Sequence, residues 1–293
     1  MTKFILSILK LFVLLIIVAA VMDVVYTYVY TNMANTTKFH FIKKQTNRKF
    51  DCVFLGSSRV INHINCHIID SVLHVNSVNF GIMDAQPKDI LTILKLLKQY
   101  NIESKTVFIQ TDYYYNSESK SKFLFVDLLP FIRENEIIKR YFQDEKDFMW
   151  LYYMPFYRYC KYDSKLGIRE VFASFFKKNK YEKTKGFEPI FGFGNKWKRS
   201  LPLKINKKNR YNKEITSLVK KSDHDCIFFI APFRNDTKNL EFISSLKQQY
   251  TNLWDFSKSI QDSSKFKNGY HLNSIGADEF SIQLANKIKF YKK

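Results

Sequence analysis

Short apolar runs alternate with helical patterns along two stretches of the chain. The first stretch predicts strands at Asp51 to Leu55, Val75 to Phe80 and Thr106 to Thr111. The second predicts strands at Asp225 to Ala231 and Asn252 to Phe256. Strands that alternate with helices pair in parallel, because each crossover returns the chain to the same edge of the sheet. The prediction is therefore a three-layer α/β/α domain with five parallel strands in a flavodoxin-like arrangement.

The helical patterns complete this interpretation and locate a common edge. They cover Val60 to Leu73, Lys88 to Tyr100, Lys213 to Lys221, Asn239 to Gln249 and Asn273 to Phe290. The carboxyl ends of parallel strands meet at one edge of the sheet, where ligands bind. The residues expected to converge there are Ser58, Gly81, Asp112, Pro232 and His271.

A long apolar segment begins the chain. Phe4 to Met22 is apolar except for Ser7 and Lys10, and Val24 to Tyr30 extends it after Asp23. This length can cross a hydrocarbon layer of about 30 Å. A cleavable signal peptide has a similar start, but the length of the run and the lack of an A-x-A site favour an uncleaved anchor.

We therefore expect a membrane anchor at residues 1–32 and an α/β domain at residues 33–293, with an insertion at about 117–210. The aromatic and basic insertion is typical of a lid or platform, and equally of a helical subdomain with its own core. Lysines flank the apolar run on both sides, so the positive-inside rule is nearly balanced. The expected orientation is N-inside, with the bulk of the chain in the periplasm or at the cell surface.

The formal net charge of +20 changes this picture little. Lys, Asn, Ile, Phe and Tyr are all abundant while Gly and Pro are scarce, which is typical of an AT-rich genome rather than of one basic face. No RNA- or DNA-binding motif accompanies the charge, so no nucleic-acid partner is expected. A basic anchored module that holds a polyanionic polymer stays an alternative.

Metal and redox chemistry are not indicated either. The four cysteines, Cys52, Cys66, Cys160 and Cys226, have no C-x-x-C spacing and are expected to be structural thiols, with a disulfide left open. The histidines His63, His67 and His74 form no metal constellation. We expect no metal and no cofactor.

Two short segments point to acyl-transfer chemistry. Gly56-Ser57-Ser58-Arg59 follows the first predicted strand, and His271 lies in a loop before the last helix. A serine at a strand-to-helix turn can be an exposed nucleophile, and a histidine at the same edge can take its proton. Ser58 is the favoured nucleophile and Ser57 the alternative, although both serines could simply cap the helix that follows.

These residues resemble the SGNH/GDSL hydrolase superfamily. The blocks that carry the resemblance are Gly56-Ser57-Ser58-Arg59, Asn79-Phe80-Gly81 and Asn268-Gly269-Tyr270-His271-Leu272-Asn273. It covers roughly residues 50 to 112 and 213 to 291. It is closest to the membrane-anchored bacterial branch associated with surface-polysaccharide and cell-wall modification, in which the first block often reads G-S-S.

The resemblance implies a role for each matching residue. Ser58 would be the nucleophile and His271 the general base and acid, while the backbone N–H groups of Ser58 and Gly81 would bind the oxyanion. The family has an aspartate where this chain has Asn268, which can accept a hydrogen bond from the imidazole but cannot stabilise imidazolium by charge. Asn79 belongs to the same pocket.

The segment after the third predicted strand also departs from the family. At that position the family has a neutral asparagine that donates to the oxyanion. Here the third strand ends at Asp112, whose ionised carboxylate would repel an oxyanion. Asn116 or Arg59 could donate instead, and Arg59 could pair with Asp112.

The expected function is serine-dependent hydrolysis of an acyl ester, or transfer of an acyl group with O-acetyl foremost, on an extracytoplasmic polysaccharide. The alternative is a catalytically degenerate SGNH-like scaffold that binds glycan or an export or assembly partner. The expected partners are the membrane, a carbohydrate or acyl-ester substrate, and envelope-complex proteins.

Overall fold

The computed structural model describes residues 1–194, 200–222 and 225–291. The chain divides into two compact units. The helical unit contains Met1–His40 and Phe125–Asn179, and the sheet unit contains Phe41–Leu124 and Lys180–Lys293. Residues 195–199 of the expected insertion lie outside the described residues.

The sheet unit is built on five parallel strands. These are β1 (Lys49–Leu55), β2 (Ser77–Asn79), β3 (Glu103–Gln110), β4 (Asp225–Ile230) and β5 (Leu253–Asp255). Their order is β2-β1-β3-β4-β5, and every neighbouring pair is parallel. With helices on both sides, this order confirms the predicted α/β fold class and its flavodoxin-like arrangement.

Helices occur at all five predicted helical patterns, and further helices lie elsewhere in the chain. They are α1 (Thr2–Tyr28), α2 (Lys38–Lys43), α3 (Ser58–Ile61), α4 (Cys66–Leu73), α5 (Pro87–Gln99), α6 (Lys122–Leu128), α7 (Glu136–Phe142), α8 (Phe148–Tyr153), α9 (Tyr157–Lys161), α10 (Asp163–Leu166), α11 (Ile168–Phe176), α12 (Lys180–Lys183), α13 (Arg210–Lys220), α14 (Glu241–Lys247) and α15 (Ser274–Tyr291). A π-helix at Val29–Met33 continues α1, and 3₁₀ turns lie at Tyr113–Asn116, Leu129–Phe131 and Ser263–Lys265. The helix predicted from Val60 to Leu73 is interrupted, because the Asn65 side chain accepts from the His67 N–H and begins α4 as a new helix.

The core of the sheet unit lies on the central strands. Phe54 of β1 stacks on Phe108 of β3 with ring centroids 5.0 Å apart, and Phe108 lies 5.7 Å from the Trp254 ring of β5. Phe280 of α15 belongs to the same buried cluster. Helices cover both faces of a parallel sheet, so its strands read as apolar runs rather than as alternating patterns.

The helical unit contains the N-terminal apolar segment. The stretch Thr2–Met33 is long and apolar enough to cross a membrane. Most side chains before Asp23 are exposed, whereas Tyr26 and Tyr30 are buried. The Tyr26 ring meets Phe156 edge-on at 4.9 Å, and Tyr30 stacks on Tyr159 at 6.0 Å. The end of the apolar segment is therefore part of the core of this unit.

A buried charge cluster fixes the same end. Asp23 Oδ1 lies 3.2 Å from Arg158 Nη2, and the Asp23 carboxylate also pairs with Arg133. The Phe156 N–H donates to Asp23 Oδ1 at 3.1 Å, and Arg158 Nη2 donates to Thr27 Oγ1 at 2.6 Å. Asp23 and Arg158 are buried, so each depends on its partners, because an unpaired buried charge is costly.

We expect Asp23→Ala to lower the free energy of unfolding of the helical unit by about 3–5 kcal/mol, since it leaves Arg158 buried without a carboxylate. Denaturant unfolding of the full chain in detergent micelles, followed by protease cleavage between residues 125 and 179, measures the effect. The matched control is Asp147→Ala, which removes the partner of the half-exposed Lys161 and should cost no more than about 1 kcal/mol. Equal losses in the two variants would contradict the role of Asp23.

Candidate active site

The turn after β1 brings two adjacent serines to the carboxyl edge of the sheet. Gly56 makes this turn possible, because a Cβ there would lie 2.5 Å from Val60 Cγ2 and 2.6 Å from Gln110 Cβ. Ser57 is then the N-cap of α3, and Ser58 is its first residue. The two serines therefore have different surroundings.

Ser57 is fully buried and has a structural role in this arrangement. Its N–H and its Oγ–H both donate to Gln110 Oε1, each at 2.9 Å. Its Oγ accepts the Arg59 N–H at 3.3 Å, as expected of an N-cap. With its hydrogen bonds made to β3 and α3, Ser57 is not the serine that faces the histidine.

Ser58 lies beside His271, more than two hundred residues away in the chain. Its Oγ–H donates to His271 Nε2 at 2.8 Å, within the range of a nucleophile and its general base. His271 reaches this position from the loop before α15, which closes on itself because Phe266 and Leu272 form an antiparallel bridge. The structure thus brings the two principal predicted residues together.

Asn268 fixes the orientation of the histidine ring. Its Oδ1 accepts the backbone N–H groups of Tyr270 and His271 at 2.8 and 3.0 Å, which assigns the oxygen of the amide. The same oxygen lies 3.2 Å from His271 Nδ1, so Nδ1 carries the proton. Nε2 is then left with its lone pair toward Ser58, the tautomer that a general base requires.

Arg59 and Asp112 form an ion pair, which was one of the two roles expected for Arg59 from the sequence. Arg59 Nη1 lies 2.5 Å from Asp112 Oδ2, and neither side chain is more than 1% exposed. Arg59 Nη2 also donates to the carbonyls of Ala231 at 2.8 Å and Pro232 at 2.5 Å, and its guanidinium lies 3.7 Å above the Phe233 ring. The Asp112 carboxylate is thus matched by a buried cation instead of standing as a net negative charge.

Neutral groups extend this network along β3. Gln110 Nε2 donates to Asp112 Oδ2, while the Tyr114 hydroxyl donates to the Gln110 carbonyl. Burial, and then the Asp112 carboxylate, raise the pKa of Tyr114 well above its usual value, so this hydroxyl stays protonated. Ser57, Gln110, Asp112 and Arg59 therefore form one continuous buried chain of hydrogen bonds.

Asn79 and Gly81 hold the second strand against α3. Asn79 Nδ2 donates to the carbonyls of Val60 and Ile64 at 2.7 and 2.8 Å. The Gly81 N–H donates to Asn79 Oδ1 at 2.9 Å, and a Cβ on Gly81 would lie 2.4 Å from the Ile61 nitrogen. Gly81 thus permits a close approach of two backbones. Its assignment as an oxyanion donor stays a prediction, which requires this N–H to be shared or released.

Asn116 is engaged elsewhere in the sheet unit. Its Nδ2 donates to the Lys204 carbonyl at 2.7 Å, and its Oδ1 accepts the Asn206 N–H at 2.6 Å. These bonds tie the 3₁₀ turn after β3 to the segment before α13. In this geometry Asn116 positions a loop and does not bond to Ser58 or His271.

Two residues of the site escaped the sequence analysis in this role. Gln110 ends β3 and receives both donors of Ser57; the available signal was a polar residue at the end of an apolar strand. His63 is fully buried, and its Nε2 accepts the Leu272 N–H at 3.0 Å. The His63 ring lies 6.0 Å from that of His271, so it supports the loop that presents the histidine.

Comparisons with known proteins find a likeness among solved structures only. No family model matches the chain, and no curated protein does. Among solved structures, the chain is similar to a protein from Desulfitobacterium hafniense DCB-2 that is provisionally described as a lipolytic protein of the G-D-S-L family. The two are 12% identical over 82% of this chain and 99% of that chain, with a TM-score of 0.41. A likeness at these values carries no activity over to this chain. The active site is indicated by the geometry of Ser58, His271 and Asn268 alone.

The buried His63 predicts a measurable pH dependence of stability. Burial, followed by the charges of Arg59 and His271, lowers the pKa of His63 well below its usual value of 6.5. The unfolded chain therefore binds a proton that the folded chain does not. This contribution to stability is complete above pH 6.5 and falls by about 1.4 kcal/mol for each pH unit below it.

We expect His63→Gln to lose this pH dependence, because glutamine does not titrate but still offers an oxygen to the Leu272 N–H. The free-energy difference between the wild type and the variant should shrink as the pH falls, as measured by denaturant unfolding between about pH 8 and about pH 5. The control His63→Phe leaves the Leu272 N–H without its acceptor, which costs about 1–3 kcal/mol. A difference that stays constant with pH would show that folded His63 titrates normally.

Proposed function

We propose that this protein is a serine-dependent esterase or acyltransferase that acts on acyl esters, with O-acetyl as the expected group and an extracytoplasmic polysaccharide as the expected carrier. The observation that supports it is the aligned series Ser58 Oγ, His271 Nε2, His271 Nδ1 and Asn268 Oδ1, with contacts of 2.8 and 3.2 Å. A hydroxyl that donates to an oriented imidazole is the arrangement of an activated serine.

The proposed reaction proceeds in two balanced halves. His271 Nε2 takes the proton of Ser58 as Oγ attacks the ester carbonyl, and the tetrahedral intermediate collapses when the leaving alcohol takes that proton back. The acyl group is then bound to Ser58 Oγ. Water, or a sugar hydroxyl, gives its proton to Nε2 as its oxygen attacks the acyl carbon. The second tetrahedral intermediate then collapses: the bond from the acyl carbon to Ser58 Oγ breaks, Ser58 Oγ takes the proton from Nε2, and the free acid or the acylated sugar is released. Water makes the protein an esterase, and a sugar hydroxyl makes it a transferase.

The oxyanion needs donors near the attacked carbonyl. The Ser58 N–H lies at the first position of α3, where backbone N–H groups have no carbonyl partner within the helix. Asp112 does not oppose the developing negative charge as a free carboxylate would, because it is paired with Arg59. Gly81 would join as a second donor only if its bond to Asn79 rearranged.

The segment at residues 188–193, called the aromatic segment here, supports a bulky organic substrate. The Glu188 N–H donates to the Ile61 carbonyl at 2.8 Å, and the Ser274 N–H donates to the Ile190 carbonyl at 2.7 Å. The segment is thus bound both to α3, which begins with Ser58, and to the start of α15. Its Phe191 and Phe193 are exposed, and aromatic faces of this kind pack on sugar rings or on acyl chains.

We also propose that residues 1–32 form an uncleaved membrane anchor ahead of the domain at residues 33–293. The buried contacts of Asp23, Tyr26 and Tyr30 support it, because cleavage beyond residue 31 would remove part of the core of the helical unit. The proposed orientation is N-inside, with the catalytic unit outside the cytoplasm.

A degenerate scaffold that binds glycan or an envelope partner is the second candidate. Two observations favour it. Asn268 gives the imidazole an oxygen but no negative charge, and the Gly81 N–H is already donated to Asn79 Oδ1. Such a scaffold would keep the fold and the aromatic segment while lacking turnover.

We expect Ser58→Ala to abolish hydrolysis of short acyl p-nitrophenyl esters and labelling by a serine-reactive phosphonate, because it removes the nucleophilic oxygen. Steady-state kinetics and mass spectrometry of the labelled full chain in detergent provide the measurement.

The adjacent Ser57→Ala is the matched control. It should lower stability by about 1 kcal/mol through loss of the α3 cap, while labelling at Ser58 continues. Labelling that persists in Ser58→Ala but is lost in Ser57→Ala would assign the nucleophile to Ser57. If neither labelling nor turnover depends on either serine while glycan binding remains, the scaffold is favoured over the enzyme.

We expect Asn268→Asp to raise kcat, because a carboxylate would keep both the tautomer and the loop hydrogen bonds and would add charge opposite the imidazolium. The gain is bounded by the roughly 10⁴-fold that the equivalent aspartate contributes in a serine-protease triad. Asn268→Ala is the control and should lower kcat, since it also removes the acceptor of two backbone N–H groups. If kcat were the same in all three proteins, Asn268 would not act on His271.

A further inference from the structure

The helix α8 and the residue after it present an apolar surface that the helical unit does not cover. Met149, Trp150, Tyr153 and Met154 are 62%, 56%, 62% and 41% exposed. They lie at helical spacing on one side of α8, whereas Leu151 points into the core and is buried. We call these four exposed residues the α8 face.

Hydrogen bonds fix the position of the α8 face along the axis of the apolar helix α1. Arg133 donates through Nε to the Tyr152 carbonyl of α8 and pairs through Nη1 with Asp23 of α1. Just after the face, the Phe156 N–H donates to Asp23 Oδ1 at 3.1 Å. Arg133 and the Phe156 N–H therefore both link the region of α8 to one residue of α1, Asp23.

Asp23 is the first buried residue of α1, and from this level onward one side of the helix is buried while the other stays exposed. Val21 and Val24, one or two residues away, are 57% and 67% exposed, although they are aliphatic. Tyr26 is buried within the unit. The α8 face is therefore linked to α1 at the level where the helix changes from exposed on all sides to buried on one side.

The composition of the face matches a bilayer interface. Trp and Tyr are enriched where the hydrocarbon meets the headgroups, because one part of each ring is apolar and another is polar. Two lysines flank the face. Lys139 lies 4.9 Å from the Tyr152 ring and pairs with Glu136, and Lys161 pairs with Asp147 at the start of α8. Such surface ion pairs contribute little energy, so both lysines can exchange their carboxylate for the phosphate of a lipid headgroup.

We propose that the α8 face is a second membrane contact, in which Met149, Trp150, Tyr153 and Met154 enter the headgroup boundary of the bilayer that α1 spans. The inference rests on the proposed role of α1 as a membrane anchor. It adds that the helical unit lies on the membrane surface instead of standing clear of it on a single helix.

The test uses native tryptophan fluorescence of the full chain reconstituted into phosphatidylcholine vesicles containing anionic phosphatidylglycerol. Lipids brominated near the top of the acyl chain should quench part of the emission, and lipids brominated near the chain end should quench it less. The chain has three tryptophans, so variants assign the signal. Trp150→Phe should abolish the quenching, whereas Trp254→Phe, which changes a core residue of the sheet unit, should leave it intact.

Two outcomes would overturn the proposal. One is quenching that persists in Trp150→Phe. The other is a Trp150 that is unaffected by brominated lipid and open to aqueous acrylamide in the same vesicles, which would assign the α8 face to solvent or to a protein partner.

A separate measurement distinguishes this failure from failure of the anchor. Resistance of the wild-type chain to extraction by alkaline carbonate reports on insertion of α1 alone. A chain that resists extraction while its Trp150 is not quenched contradicts only the α8 contact. A chain that is extracted contradicts the anchor as well.

Discussion

The candidate site depends on one buried cation. Arg59 directly follows Ser58 in the turn after β1. Its guanidinium binds Asp112 after β3 and two carbonyls after β4. Three strand ends are therefore joined by one side chain. An isolated charge at zero exposure would be strongly unfavourable, so the arrangement is stable only when all of these partners are in place. The direction of Ser58 follows from this constraint.

The loop that carries His271 depends on a single oxygen, Asn268 Oδ1, which accepts several hydrogen bonds. Asn268 Oδ1 closes the loop by accepting two backbone N–H groups and also orients the ring through Nδ1. In a Ser-His-Asp triad the aspartate also orients the imidazole by accepting its N–H, but it adds a full negative charge. An amide supplies the geometry without the electrostatics, which separates the orienting role of the third residue from its charge-stabilising role.

Sequence reasoning predicted the parts of this structure that follow from periodicity. Apolar runs gave the five strands, and parallel pairing placed Ser58 and His271 at one edge, where they are found in contact. The bonds of Gln110, Gly81 and Asn116 were not predictable, because each depends on which neighbouring atom lies within about 3 Å rather than on which strand edge the residue follows. The environment of His63 could not be predicted either, because neither its burial nor its bond to the Leu272 N–H produces a pattern in the neighbouring sequence.

The burial of Asp23, Tyr26 and Tyr30 has a consequence for the release of the chain from a membrane, if α1 is the anchor proposed above. Proteins held by a separable stalk can be shed by one cut, and the released part stays folded. Here the last turns of α1 belong to the core of the helical unit, so a cut that frees the chain beyond residue 31 also removes core side chains. Release and unfolding are then linked events, and a soluble form made by truncation should begin before Asp23 to keep the unit intact.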